Sequence, residues 1–119
     1  MAVQYRSVSA VETGTGTSVV IDVPAGVVAG DMLIAFIALT PQKEVTPPAG
    51  WTEIIGVNLD SAPRVVLGYY KLATGAESAD YEWTVAESTD YAGHIIAAYS
   101  DTGKTLEIAS SYEYHYVPL

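Results

Sequence analysis

The chemistry open to this chain is limited by its two histidines, His94 and His115, and by the absence of cysteine. Without a thiol there is no disulfide, thiolate metal site or cysteine nucleophile. The two imidazoles are too distant along the chain to form a local ligand pair. His94, in GHIIAAY, shares a strand face with Ile96 and Ala98, the setting of a partly buried, hydrogen-bonded histidine. His115 lies among Tyr112, Tyr114 and Tyr116 but on the opposite strand face, where a surface contact is expected. The 14 acidic residues are dispersed, and no two stand out as an acid/base couple. GxSxG is absent, so a nucleophile elbow has no basis. No catalytic residue, metal or cofactor is expected, and the chain reads as a non-enzyme.

Three short fragments carry chemistry elsewhere. GTGTS at 14–18 is glycine-rich, but a dinucleotide fingerprint needs a third glycine, a preceding strand and a following helix. A strand follows instead, so a flexible hairpin or loop is expected. TGKT at 102–105 has the ending of a phosphate-binding loop, yet Ala98 stands where the earlier glycine is required and no helical pattern follows. Asp101-Thr102-Gly103 is the active-site triplet of aspartic proteases, which need two such aspartates sharing a proton across a dimer. Lys104 replaces the small residue of that family, and too little sequence follows to build the site. Both fragments read as turns.

The elements that would position any site are strands. Val19, Ile21 and Val23 alternate with Ser18, Val20 and Asp22 until Pro24-Ala25-Gly26 stops the run. After Ala29-Gly30-Asp31 comes MLIAFIAL (32–39), apolar on both faces, as in a buried strand. TPQKEVTPPAG reads as a polar loop. WTEIIGV (51–57), RVVLGYYKL (64–72), YEWTVA (81–86) and YAGHIIAAY (91–99) follow, with TLEIA (105–109) and SYEYHYV (111–117) as weaker candidates. The first ten residues add one more. Gly, Pro, Asp, Ser and Thr fill the intervals, and no sustained helical periodicity occurs. The expected fold class is all-β: a single β-sandwich, jelly-roll-like, of about eight short strands over residues 1–119.

Size and charge exclude further classes. A chain of 119 residues suits one domain and buries about two-thirds of its unfolded surface. Lys+Arg 5 against Asp+Glu 14 gives a net charge of -9, and the five cations are scattered. Nucleic acid and anionic membrane surfaces are therefore not expected partners. MAVQYRSVSA has no apolar signal core, and the apolar stretch from Val23 to Leu39 is too interrupted to span a bilayer.

Four stretches in order carry a family resemblance: VIDVPAGVVAGDMLIAFIAL, VTPPAGWTEI, RVVLGYYKLATGAESADYEWTV and AGHIIAAYSD. From Val19 to Asp101 the chain resembles the β-sandwich domain of tailed-bacteriophage structural proteins, including tail-fibre, head-fibre and capsid-decoration proteins, and of some bacterial surface proteins. The motif positions are structural in kind. Pro24 ends a strand, Gly26 and Gly30 permit turn dihedrals, and Asp31 caps the turn. Pro47 and Pro48 stiffen a loop, and Gly50 lets Trp51 cover the sandwich end. Trp51 and Trp83 are expected in or against the core, with stacking on a sugar as the sharper alternative.

The resemblance implies a fold and a setting and carries over no catalytic residue. Members often continue into a second similar half or a longer fibre chain, whereas this sequence stops at Leu119. A small accessory virion protein is the expected function: a capsid decoration (cement) protein on the shell exterior, made in the host cytoplasm. It would bridge major capsid protein subunits as a homo-oligomer, with a trimer favoured. Tyr112, Tyr114, His115, Tyr116, Val117 and Leu119 are the expected contact residues, and the arm at residues 1–10 could add a strand to a neighbour. The alternative is an adhesion or glycan-binding module of a tail fibre or bacterial surface structure.

Overall fold

The computed structural model describes residues 3–59, 64–100 and 106, excepting the side chains of 55–59 and 64. Seven strands occur among them and no helix: β1 (Val3–Val8), β2 (Glu12–Asp22), β3 (Met32–Thr40), β4 (Val45–Thr46), β5 (Thr52–Leu59), β6 (Arg64–Leu72) and β7 (Asp80–Ser100). All pairings are antiparallel, with the order β1-β7-β3-β6-β5, and β2 and β4 both join β7. The protein is all-β and sandwich-like.

The 21-residue β7 creates the two layers. Its first half pairs with the end of β2 (Ser18↔Thr84 through Asp22↔Asp80) and with β4 (Val45↔Val85). Its second half pairs with β3 (Phe36↔His94, Met32↔Ala98) on one side, and with β1 and the start of β2 on the other. Between the halves the β2 register jumps from Gly16↔Thr89 to Ser18↔Thr84, the irregularity at which one ladder becomes two layers.

The core lies between these layers. Val19, Ile21, Trp83 and Val85 come from one, while Leu33, Ala35, Ile37, Leu39, Val65, Leu67, Tyr69, Ile95 and Ala97 come from the other. The alternate spacing of these residues within each strand is the pleat directing one face inward. Tyr69 and Trp83 stand on strands that share no ladder, yet their rings are 5.9 Å apart, which fixes the packing as face to face. Trp51 completes the cluster edge-on to Trp83 at 5.0 Å and to Tyr81 at 5.3 Å. Neither indole N–H meets an acceptor among the described residues. That costs about 1–3 kcal/mol each, which the burial of two large rings offsets.

Three expectations about the elements are corrected. YEWTVA and YAGHIIAAY form one strand rather than two. The residues at this junction find partners on β2 and in the segment between β3 and β4 instead of turning. Buried Thr89 donates to the Pro41 carbonyl at 2.6 Å, Asp90 accepts from Thr15 at 2.5 Å, and the Ala86 amide donates to the Glu44 carbonyl at 2.9 Å. GTGTS belongs to β2 and is not a loop. Gly14 is opposite Tyr91, whose ring occupies the space a side chain would take: a Cβ on Gly14 would meet the Tyr91 hydroxyl at 2.7 Å. TPQKEVTPPAG also contains a strand, the two-residue β4.

At Gly93 a side chain of the opposing layer comes close to the β7 backbone. A Cβ there would lie 2.9 Å from Cδ1 of Ile21, on the opposing layer, and 3.3 Å from the Phe36 carbonyl oxygen. Gly93→Val is expected to overpack the core and destabilise the protein by about 1–3 kcal/mol, read from urea unfolding.

Candidate functional site

The two proline- and glycine-containing motifs, VPAGVVAGD and PPAGW, build loops. In VPAGVVAGD, Pro24 is buried, and φ is 76° at Gly26 and 91° at Gly30, the left-handed region that glycine enters without strain. Asp31 is 1% exposed and organises the loop. Its carboxylate accepts from the Val28 amide at 3.0 Å and from Arg6 Nε and Nη2 at 2.6 and 3.0 Å. Arg6, on β1, also lies over the Tyr99 ring at 4.5 Å. Its hydrogen bond to Asp31, against the opposing effect of desolvation, raises its pKa. The capping role expected of Asp31 is therefore present, enlarged by a bidentate ion pair that ties β1 to the loop. In PPAGW, the Trp51 amide donates to the Pro48 carbonyl at 3.4 Å, with Pro47 before it and Gly50 inside the turn. Trp51 and Trp83 are both buried, so neither ring is available to stack on a sugar.

A second ionic cluster holds the β6–β7 connection. Lys71 Nζ donates to both oxygens of Glu77 at 2.9 Å, the Thr74 amide and hydroxyl donate at 3.0 and 3.1 Å, and the Tyr81 hydroxyl donates at 2.7 Å. Burial alone would raise the pKa of Glu77, but these donors overcome it and hold the carboxyl at about 2. Every donor has its acceptor within the cluster, an arrangement suited to fixing a loop. Among the described residues no three His, Asp or Glu groups come together to hold a metal ion.

The unusual surface is the outer face of the larger layer. A sandwich strand ordinarily turns polar residues outward. Here β3 presents Met32, Ile34, Phe36 and Ala38. Its neighbours continue the pattern: Ala38 pairs with Val66 and Ala92, Phe36 with Gly68 and His94, Ile34 with Tyr70 and Ile96, and Met32 with Leu72 and Ala98. Val8 of β1 extends the Ile96 row. His94 is half-buried, and its ring meets Phe36 edge-on at 5.8 Å. It shares this face with Ile96 and Ala98, as expected. Phe36 and Leu72 are each 38% exposed and Val11 is 60% exposed, so apolar surface remains open to water.

One end of the face is covered. Leu106, outside all seven strands, is 5% exposed and packs with Met32, Ala98, Ile34 and Tyr70. The other end contains a cavity of about 140 Å³ lined by Val11, Phe36, Ile37, Ala38, Val66, Ala92, Gly93 and His94. The double-sided apolar pattern of MLIAFIAL was the sequence signal for this surface, although burial was expected of both sides. Tyr112, Tyr114, His115, Tyr116, Val117 and Leu119 lie outside the described residues, as do the fragments at 101–103 and 102–105.

Comparison with known proteins finds no matching family model, no matching curated protein and no matching solved structure.

Two predictions follow from the ionic clusters. Asp31→Ala removes the acceptor for the Val28 amide, and hydrogen exchange at Val28 should accelerate about tenfold or more while Ile95 stays protected. Glu77 has a folded pKa of about 2 against an ordinary value of 4.5, so its contribution is complete above about 4.5 and fades as the pH falls toward 2. Urea unfolding should show about 1–3 kcal/mol lost across that window, and Glu77→Gln should remove this part of the acid dependence.

Proposed function

We propose that this chain is a non-enzymatic structural protein of a tailed-phage particle, a capsid decoration protein that binds outside the shell and bridges major capsid protein subunits. The observation that carries the reading is the apolar outer face of β3, β6 and β7, with Phe36 and Val11 open to water. Such a surface serves association with another protein. The tyrosine-rich sequence from Tyr112 to Leu119 follows Leu106, which already rests on that face, and supplies the further contact residues. Tyrosines give large contact area at small entropic cost.

The motif residues support the same reading through what they do locally. Asp31 and Trp51 make loops rigid, and a rigid module loses little freedom when it docks. Copies around a symmetry axis, with a trimer favoured, would add modest contacts into lasting attachment. The net charge of -9 suits an aqueous exterior better than a DNA-filled interior.

Binding to purified shells that lack the protein tests this directly. The full chain should bind at many copies per particle. A chain ending at Ser111 should stay folded by its tryptophan emission yet no longer bind. Attachment of only a few copies, at the tail, would support the adhesion alternative and overturn decoration, and unfolding of the shortened chain would sink the interface assignment.

A further inference from the structure

His94 is a titratable group set within the apolar outer face. It stands on β7 opposite Phe36, half-buried, with its ring edge-on to the Phe36 ring at 5.8 Å. It also lines the hollow of about 140 Å³ that it shares with Val11, Ala38, Val66 and Ala92. Along its own strand the neighbours on the same face are Ala92 and Ile96. Imidazole is the side chain whose charge changes between about pH 5 and 8, so this position can hold either a neutral ring or a cation.

Among the described residues, the elements around His94 bring no compensating charge to it. On β3 the outward positions nearby are Ile34, Phe36 and Ala38. On β6, Val66 and Gly68 occupy the corresponding rows, and Tyr70, one row further, brings a phenol. Tyr5 of β1 brings another at the Ala98 row. Between β1 and β2 the neighbour is Val11, while Glu12, paired with Gly93, belongs by register to the opposite face. Asp90 shares the face of β7, but it is four residues along the strand, about 13 Å, and accepts a hydrogen bond from Thr15. That distance exceeds the screening length of about 8 Å in physiological salt.

We propose that His94 makes the outer face acid-sensitive: with a neutral ring the face binds its partner, and protonation places an unpaired cation inside the contact and releases it. Covering the face takes the imidazole out of water, and a buried charge without a counter-ion is costly where a neutral ring is not. Attachment therefore holds the ring neutral. Binding is full above the range in which imidazole titrates and is lost as the pH falls through that range. Excluding one proton per site weakens binding by up to about tenfold for each pH unit. The device rests on the proposed contact surface, but the same charge also disfavours an apolar probe in the hollow with no capsid present.

Two readouts test this, each taken at about pH 7.5 and about pH 5.5. Both values lie above the window in which Glu77 titrates, and tryptophan emission checks that the fold is intact at each. An uncharged solvatochromic dye should bind the full chain several-fold more weakly at the lower pH. Purified shells that lack the protein should bind it about five- to tenfold more weakly there. His94→Gln should remove the pH dependence from both measurements, whereas His115→Gln should retain it. In either readout, a dependence that survives in His94→Gln would overturn the proposal. Dye binding that is equal at the two pH values in the unsubstituted chain would overturn it as well. Shells that bind at neither pH remove the decoration function, and the dye then decides the His94 assignment. Shells that bind equally at both keep decoration and remove the His94 device.

Discussion

The structure depends on the continuity of β7. One strand of 21 residues supplies a ladder to both layers, its first half to one and its second half to the other, so the two are joined through one backbone. Trp83 stands on the first half of that strand and Ile95 on the second, and both enter the same core cluster. The remaining devices serve this geometry. Gly93 leaves room for Ile21 of the opposing layer, Gly14 makes room for Tyr91, and Thr89 fixes the crossing by bonding to Pro41. A backbone shared between two layers couples them more firmly than side-chain packing alone could.

Strand type and the inward residues were legible in the sequence because alternation reports a half-buried face directly. The Val19–Ile21 and Trp83–Val85 positions are buried as that pattern requires. Continuity through Glu87-Ser88-Thr89-Asp90 was not legible. A polar run reads as a turn unless its partners are known, and those partners lie on β2 and beside β4, distant in sequence. The same limitation applied to GTGTS, where glycine signals a loop until the opposing Tyr91 is known. The roles of Pro24, Gly26, Gly30 and Asp31 were readable from local dihedral chemistry. The Arg6 partner of Asp31 was not, because an ion pair over such a separation leaves no local pattern.

The candidate surface was half legible. MLIAFIAL announced two apolar faces but could not say that only one would be covered by the opposing layer. What emerges is an asymmetric sheet. One side is closed by Trp51, Trp83 and Val19, while the other is closed at Leu106 and open around Phe36. Among the described residues the ion pairs lie in the loops and edges: Arg6–Asp31 beside β1, Lys71–Glu77 before β7, and Lys43–Glu87 near β4. Attraction between unlike charges therefore shapes the boundary of the domain, and apolar contact governs both broad faces.

The tryptophan pair also determines how the molecule can be observed. Trp51 and Trp83 are the only two indoles in the chain, and they stand 5.0 Å apart in one buried cluster. Their emission is thus a private signal of the interior: it reports whether the two layers are closed on each other. Events on the outer sheet face, where Phe36 and His94 meet, take place on the far side of the backbone from both indoles. A single optical signal can therefore follow the closing of the core apart from contacts made at the outer surface.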